Sequence, residues 1–130
     1  MKDTMEENVR FYTCPICGNT VGLIHGNGDC LKCCGKPMQL MVANSTDAAE
    51  EKHVPVYEKE GDEIVVKVGE IAHPMEEDHF ISWIALVGKN QTTRIALKPG
   101  DEPVVRMQYI PNSFIYASCN KHGLWKTEVK

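Results

Sequence analysis

Glu63-Ile-Val-Val-Lys-Val-Gly-Glu-Ile71 is the stretch that decides the fold class. Ile64, Val66 and Val68 alternate with Glu63, Val65 and Lys67, the two-residue period of a strand with one face against a core. Upstream, beyond the turn residues Glu60-Gly-Asp62, Val54-Pro-Val-Tyr-Glu-Lys59 reads as its partner. Downstream, five more strand-like runs follow: 80–88 (FISWIALVG), 92–98 (TTRIALK), 103–110 (PVVRMQYI), 114–119 (FIYASC) and 124–129 (LWKTEV). Gly88-Lys-Asn90, Pro99-Gly-Asp-Glu-Pro103 and Pro111-Asn-Ser113 punctuate them with turn chemistry. No segment sustains a 3.6-residue apolar period, which argues against helical bundles and dinucleotide-binding folds. Seven short strands predict an all-β sandwich, without internal repeats or a phosphate-binding glycine loop.

The 53 residues before this series have a different character. Five of the six cysteines fall between Phe11 and Met41, among Gly18, Gly22, Gly26, Gly28 and Gly35 and few large apolar side chains. Such a segment builds little core, so a metal-nucleated knot of short strands and turns is expected. The predicted division is 1–41 for this unit and 42–130 for the strand-rich one. Between them, Asn44 to Lys52 reads as a connector with a helical turn, because Asp47-Ala-Ala-Glu50 has the spacing of a capping box.

With 14 Lys and Arg against 18 Asp and Glu, the net charge of −4 speaks against a broad nucleic-acid surface. The N-terminal residues lack a secretory apolar core, and the run from Phe80 to Val87 is too short to span a bilayer. No membrane association and a cytoplasmic location are therefore expected. In that reducing compartment, six cysteines point to metal or redox chemistry rather than disulfides.

Cys14-Pro-Ile-Cys17-Gly18 is a metal knuckle, and Cys30-Leu-Lys-Cys33-Cys34-Gly35 supplies further thiolates. Two ligand sets compete. Cys14, Cys17, Cys30 and Cys33 make a pair of CxxC knuckles of zinc-ribbon form. Cys14, Cys17, Cys33 and Cys34 require adjacent thiolates to reach one ion through a local turn, an arrangement closer to iron electron transfer. His25 belongs to neither set and reads as an exposed loop residue.

A second constellation lies in the strand-rich part. His73-Pro-Met-Glu-Glu-Asp-His79 puts imidazoles at both ends of a loop, Cys119-Asn-Lys-His122 forms another two-ligand turn, and His53 opens a strand. Four imidazoles and one thiolate exceed what a structural zinc needs and suit iron, whereas zinc on four of them and blue copper are the competing metals. The aromatic residues Tyr12, Phe80, Trp83, Tyr109, Phe114, Tyr116 and Trp125 read as core or interdomain packing.

Taken in order, CPICG, CCG, KHVP, HPMEEDHF and CNKHGLW, from Cys14 to Trp125, strongly resemble desulfoferrodoxin, the two-iron superoxide reductase family. The resemblance implies a desulforedoxin-like domain holding a rubredoxin-like iron on Cys14, Cys17, Cys33 and Cys34, which leaves Cys30 as an additional thiol. It further implies an immunoglobulin-like β-sandwich holding a catalytic iron on His53, His73, His79, His122 and Cys119. The implied activity is one-electron reduction of superoxide to hydrogen peroxide. Lys52 would attract the anion, and Glu51, in the Glu51-Lys52-His53 run, would close over the oxidised iron. A rubredoxin-type external donor and a homodimer are the implied partners. Read without the resemblance, the same residues also suit a zinc-ribbon protein-binding module or an iron electron-transfer protein without substrate chemistry.

Overall fold

The computed structural model describes residues 9–130; Met1 to Asn8 of the expected first domain lie outside the described residues. The N-terminal unit is a three-stranded antiparallel sheet of order β2-β1-β5, formed by β1 (Arg10–Thr13), β2 (Thr20–Leu23) and β5 (Gln39–Leu40). The two-residue strands β3 (Lys32–Cys33) and β4 (Lys36–Pro37) make a small hairpin beside it. As expected of so glycine-rich a segment, its core is thin: Phe11, Tyr12 and Cys14 are its buried apolar residues.

All seven strands read from the sequence form. β6 (Pro55–Glu60), β7 (Glu63–Val68) and β10 (Val104–Gln108) make one antiparallel sheet of order β10-β7-β6. β8 (Ile81–Val87), β9 (Thr92–Ala96), β11 (Ser113–Cys119) and β12 (Gly123–Val129) make a second, of order β12-β11-β8-β9. Both sheets contribute to one core: Ile64, Val66, Val68, Val105 and Met107 from the first meet Ile81, Ile84, Leu86, Ile115, Ala117 and Val129 from the second. The period-2 residues of the opening stretch thus bury the face they were expected to bury.

The unbroken apolar runs of β8 and β11 have a separate cause. Trp83, Ala85, Val87 and Tyr116 face away from the shared core and are buried against Phe11, with Val9, Met41 and Ala43 packed around them. Phe11 lies 4.8 Å from Trp83 and 5.3 Å from Tyr116 between ring centroids. A strand covered on both faces has no need of polar alternation. Here the small N-terminal unit supplies the second cover.

The connector departs from expectation. α1 spans Glu50–His53, its N-cap is Ala49, and no side chain caps it. The capping box anchored on Asp47 does not form, because the helical turn begins beyond it. No helix among the described residues is long and apolar enough to cross a membrane.

Candidate metal centres

The thiolate cluster is built by two turns that face each other. In the first, the Cys17 and Ile16 amides donate to Cys14 Sγ at 3.5 and 3.4 Å, the arrangement that two intervening residues allow. In the second, Cys34 adopts φ 55° and Gly35 φ 74°. This left-handed turn is what lets neighbouring side chains face one point instead of diverging, and glycine at the second position carries it without a Cβ penalty. Cys17 and Cys33 Sγ are 3.6 Å apart, and Cys33 and Cys34 Sγ 4.0 Å apart. Cys14, Cys17, Cys33 and Cys34 all place Sγ within 4.8 Å of one another. Cys30 is exposed and stands outside that group, so of the two sets left open by spacing, the structure assembles the one with adjacent cysteines.

Four sulfurs this close compete for charge. The Cys17 and Ile16 amides lower the Cys14 thiol to about 6. The Cys34 thiol is pushed up to about 12, chiefly by the Cys17 sulfur and then by Cys33. Crowding favours one thiolate and resists the next, a conflict that a bound cation removes.

The second cluster lies where the two sheets and α1 meet. His53 closes α1, His73 and His79 lie in the loop between β7 and β8, and Cys119 ends β11. His53, His73, His79 and Cys119 each offer a ligand atom within 4.8 Å of the others. His122, in the turn to β12, abuts this group: its Nδ1 is 3.1 Å from His53 Nε2 and 3.8 Å from Cys119 Sγ. All five residues expected from the sequence are therefore brought together. Cys119 reaches its place through a register shift, since Ser118 pairs with Trp83 but Cys119 with Ile81. A bulge of this kind re-aims a side chain at the end of a strand.

Carbonyls orient two of the rings. Nδ1 of His53 is 2.7 Å from Ala49 O, and Nδ1 of His73 is 2.7 Å from Pro74 O. An N–H at those positions leaves Nε2 as a lone-pair donor facing the cluster. Burial drives His73 down to about 4 and lowers His53 and His79 as well, so these three imidazoles are neutral near pH 7. His73 Nε2 and His79 Nε2 are buried without a hydrogen-bond partner. Leaving such atoms unsatisfied costs about 1–3 kcal/mol each, and four imidazoles beside a thiol are a donor set made for a transition metal.

Three supports were not apparent from sequence. Asn120 pins the two ligand loops together, accepting from Phe80 N at 2.8 Å and donating to Asp78 O at 3.1 Å. Gly69 lets α1 approach β7, because a Cβ there would sit 2.6 Å from Glu51 O. Trp125, expected as core, stacks on His53 with centroids 4.9 Å apart. Glu51 and Lys52 are exposed on α1. Glu51 lines a recess of about 290 Å³ with Glu50, Val54, Val56 and Glu70.

A thiolate cluster in a small sheet, joined to an imidazole–thiolate cluster in a larger β unit, defines a two-centre transition-metal protein. The desulfoferrodoxin family model matches residues 45–128, and the model of the desulfoferrodoxin N-terminal domain matches residues 6–41. The chain belongs to the desulfoferrodoxin family. It is 50% identical over 125 residues to a desulfoferrodoxin of Syntrophotalea carbinolica, covering 95% of this chain and 99% of that one. It is 46% identical over 124 residues to a desulfoferrodoxin homolog of Archaeoglobus fulgidus, covering 95% and 99%. The crystal structure of the superoxide reductase from Treponema pallidum superposes with a TM-score of 0.74 at 30% identity, covering 92% of this chain and 98% of that one. A superoxide reductase (1Fe-SOR) from Giardia intestinalis matches with a TM-score of 0.54 at 30% identity, covering 62% of this chain and 98% of its own.

Proposed function

We propose that this chain is a superoxide reductase, adding one electron and two protons to superoxide to give hydrogen peroxide. The observation that carries this reading is the cluster of His53, His73, His79 and Cys119, with His122 against it, in which two buried ring nitrogens lack any protein partner. Relatives bearing the superoxide reductase name support it. The chain provides ligand sets for two iron ions, Cys14, Cys17, Cys33 and Cys34 for one and the four imidazoles with Cys119 for the other. Iron bound at the second set supplies the electron that takes superoxide to the peroxide level.

The protein's own residues do the rest. The imidazoles of His53, His73 and His79, whose pKa values burial lowers, present lone pairs without having to lose a proton near pH 7, and with iron bound a Cys119 thiolate would favour the oxidised metal. Lys52, exposed beside His53, draws in an anion that the overall charge of −4 repels at long range. Glu51, next to it, is assigned the gating role over the oxidised site. The two protons come from solvent.

The strand-rich unit, 42–130, is assigned as an immunoglobulin-like sandwich carrying catalysis, and 1–41 as the desulforedoxin-like electron-holding unit. The two separate family models, over 6–41 and 45–128, support that division. A rubredoxin-type donor, a homodimer, a cytoplasmic location and the absence of nucleic-acid or membrane partners complete the reading. Six cysteines free of disulfides suit a reducing compartment.

Anaerobic reconstitution with iron, metal counting and reaction with superoxide test the proposal. The expected result is two irons per chain and one hydrogen peroxide per superoxide consumed, with no matching oxygen release. Oxygen evolved at half the superoxide consumed identifies a dismutase instead, and stoichiometric zinc without turnover identifies a binding module.

A further inference from the structure

One side chain touches two of the histidines, one at its ring and one at its backbone. The Trp125 indole, 1% exposed, stacks on the His53 ring at 4.9 Å with the planes 26° apart. Its Nε1–H donates to the His122 backbone carbonyl at 3.0 Å. His53 and His122 arrive from segments 69 residues apart, and their nitrogens meet at 3.1 Å. The stack limits rotation of the His53 ring about its χ2, and the hydrogen bond fixes the turn that presents His122.

Trp125 is held in turn. β12 is an edge strand, and Asn44 of the connector occupies its open side. Asn44 N donates to Leu124 O at 2.9 Å, Lys126 N donates to Asn44 Oδ1 at 2.9 Å, and Asn44 Nδ2 donates to Lys126 O at 3.3 Å. With φ 60°, Asn44 therefore brackets Trp125 on both sides, as one residue of a neighbouring strand would. Three residues before it, Met41 N donates to Phe11 O at 2.8 Å, tying the same connector to the thiolate unit.

We infer that Trp125 is a positioning residue for the imidazole–thiolate site, setting the ring of His53 and the turn of His122, and that Asn44 anchors it to the connector from the thiolate domain. This rests on the reading of that cluster as the metal site. The indole acts on the metal only through the two histidines, so its removal changes affinity and spectrum even where the fold survives.

Cobalt(II) serves as the probe, titrated anaerobically into the full-length apoprotein against a competing chelator. Cys119→Ser identifies the thiolate-to-cobalt absorption that belongs to this site. Trp125→Phe keeps the stack and loses the hydrogen bond; about a threefold to tenfold weaker affinity and a shifted band are expected. Trp125→Leu loses both contacts, with about a 10- to 100-fold loss, the range for residues that orient metal-binding histidines. Asn44→Ala should weaken this site about threefold and leave the thiolate site unchanged. A folded Trp125→Leu protein that melts at a lower temperature but binds cobalt within twofold of wild type, with an unshifted band, overturns the inference and leaves Trp125 a core residue. If Trp125→Leu does not fold, Trp125→Phe decides by the same criterion. If Cys119→Ser leaves every absorption band unchanged, the reading of the site fails and the inference with it.

Discussion

Replacing Gly69 by alanine sets a methyl group 2.6 Å from Glu51 O, 3.0 Å from the Lys52 carbonyl carbon and 3.0 Å from Val54 O. All three are backbone atoms, so no side-chain rotation relieves the contact. Restoring an ordinary separation of about 3.4 Å requires α1 and β7 to part by roughly 0.8 Å, an overpacking strain worth about 1–3 kcal/mol. Parting them also stretches the bond from Ile71 N to Glu51 O, now 2.9 Å. α1 carries Glu51, Lys52 and His53, so the shift moves His53 relative to His73, His79 and His122. Misplacement of a reacting group by about 1 Å can lower a rate by about 100-fold. The expected Gly69→Ala protein retains its thiolate-bound iron, binds the second iron more weakly, and reduces superoxide about 10- to 100-fold more slowly. Metal counting under chelator competition, visible spectra and stopped-flow kinetics measure these. Wild-type affinity at the second centre, a wild-type rate and an unchanged melting temperature would refute the argument from close approach.

Lys52→Ile should slow the reaction with superoxide about tenfold at low salt and flatten its decline with ionic strength, because screening over about 8–10 Å then has less attraction to remove; an unaltered salt response contradicts steering. Cys34→Ser should abolish the tetrathiolate iron spectrum, whereas Cys30→Ser, outside the cluster, should leave iron content and spectrum intact; metal analysis of both proteins separates the two ligand sets. The Asp101 carboxyl is held below its ordinary value by the Lys98 backbone N–H first and then by the Lys98 ammonium. Its folded pKa lies below the unfolded one, so the stabilisation of this turn is present above the unfolded value and lost as pH falls through the folded one. An NMR titration of the Lys98 amide should report that loss, and Asp101→Asn should remove the step.

Much of the architecture was legible because strand patterning is local. Ile64, Val66 and Val68 alternate because one face meets the second sheet, and each of the seven runs became a strand. The connector was less legible. Asp47 and Glu50 have capping spacing, but a four-residue helix takes its order from tertiary contacts, and Ile71 N bonding to Glu51 O outweighs an exposed cap. Nothing local in the apolar run of β8 says what covers its second face; Phe11 and Met41 do.

By itself, the sequence determined which kinds of ligand are on offer: thiolates at knuckle spacing, imidazoles at loop ends, and strands enough to carry them. Ligand type and short-range spacing are properties of neighbouring residues. Only the tertiary structure decided between Cys30 and Cys34, because the choice depends on the left-handed turn at Cys34 and Gly35 and not on the count between cysteines. It also decided that His53, from before the first strand of the larger unit, meets His122, from just before the last, and that Trp125 lies against both. The contacts of His53 join segments 69 residues or more apart, and their geometry is set by how sheets, bulge and helix pack, which no local pattern encodes.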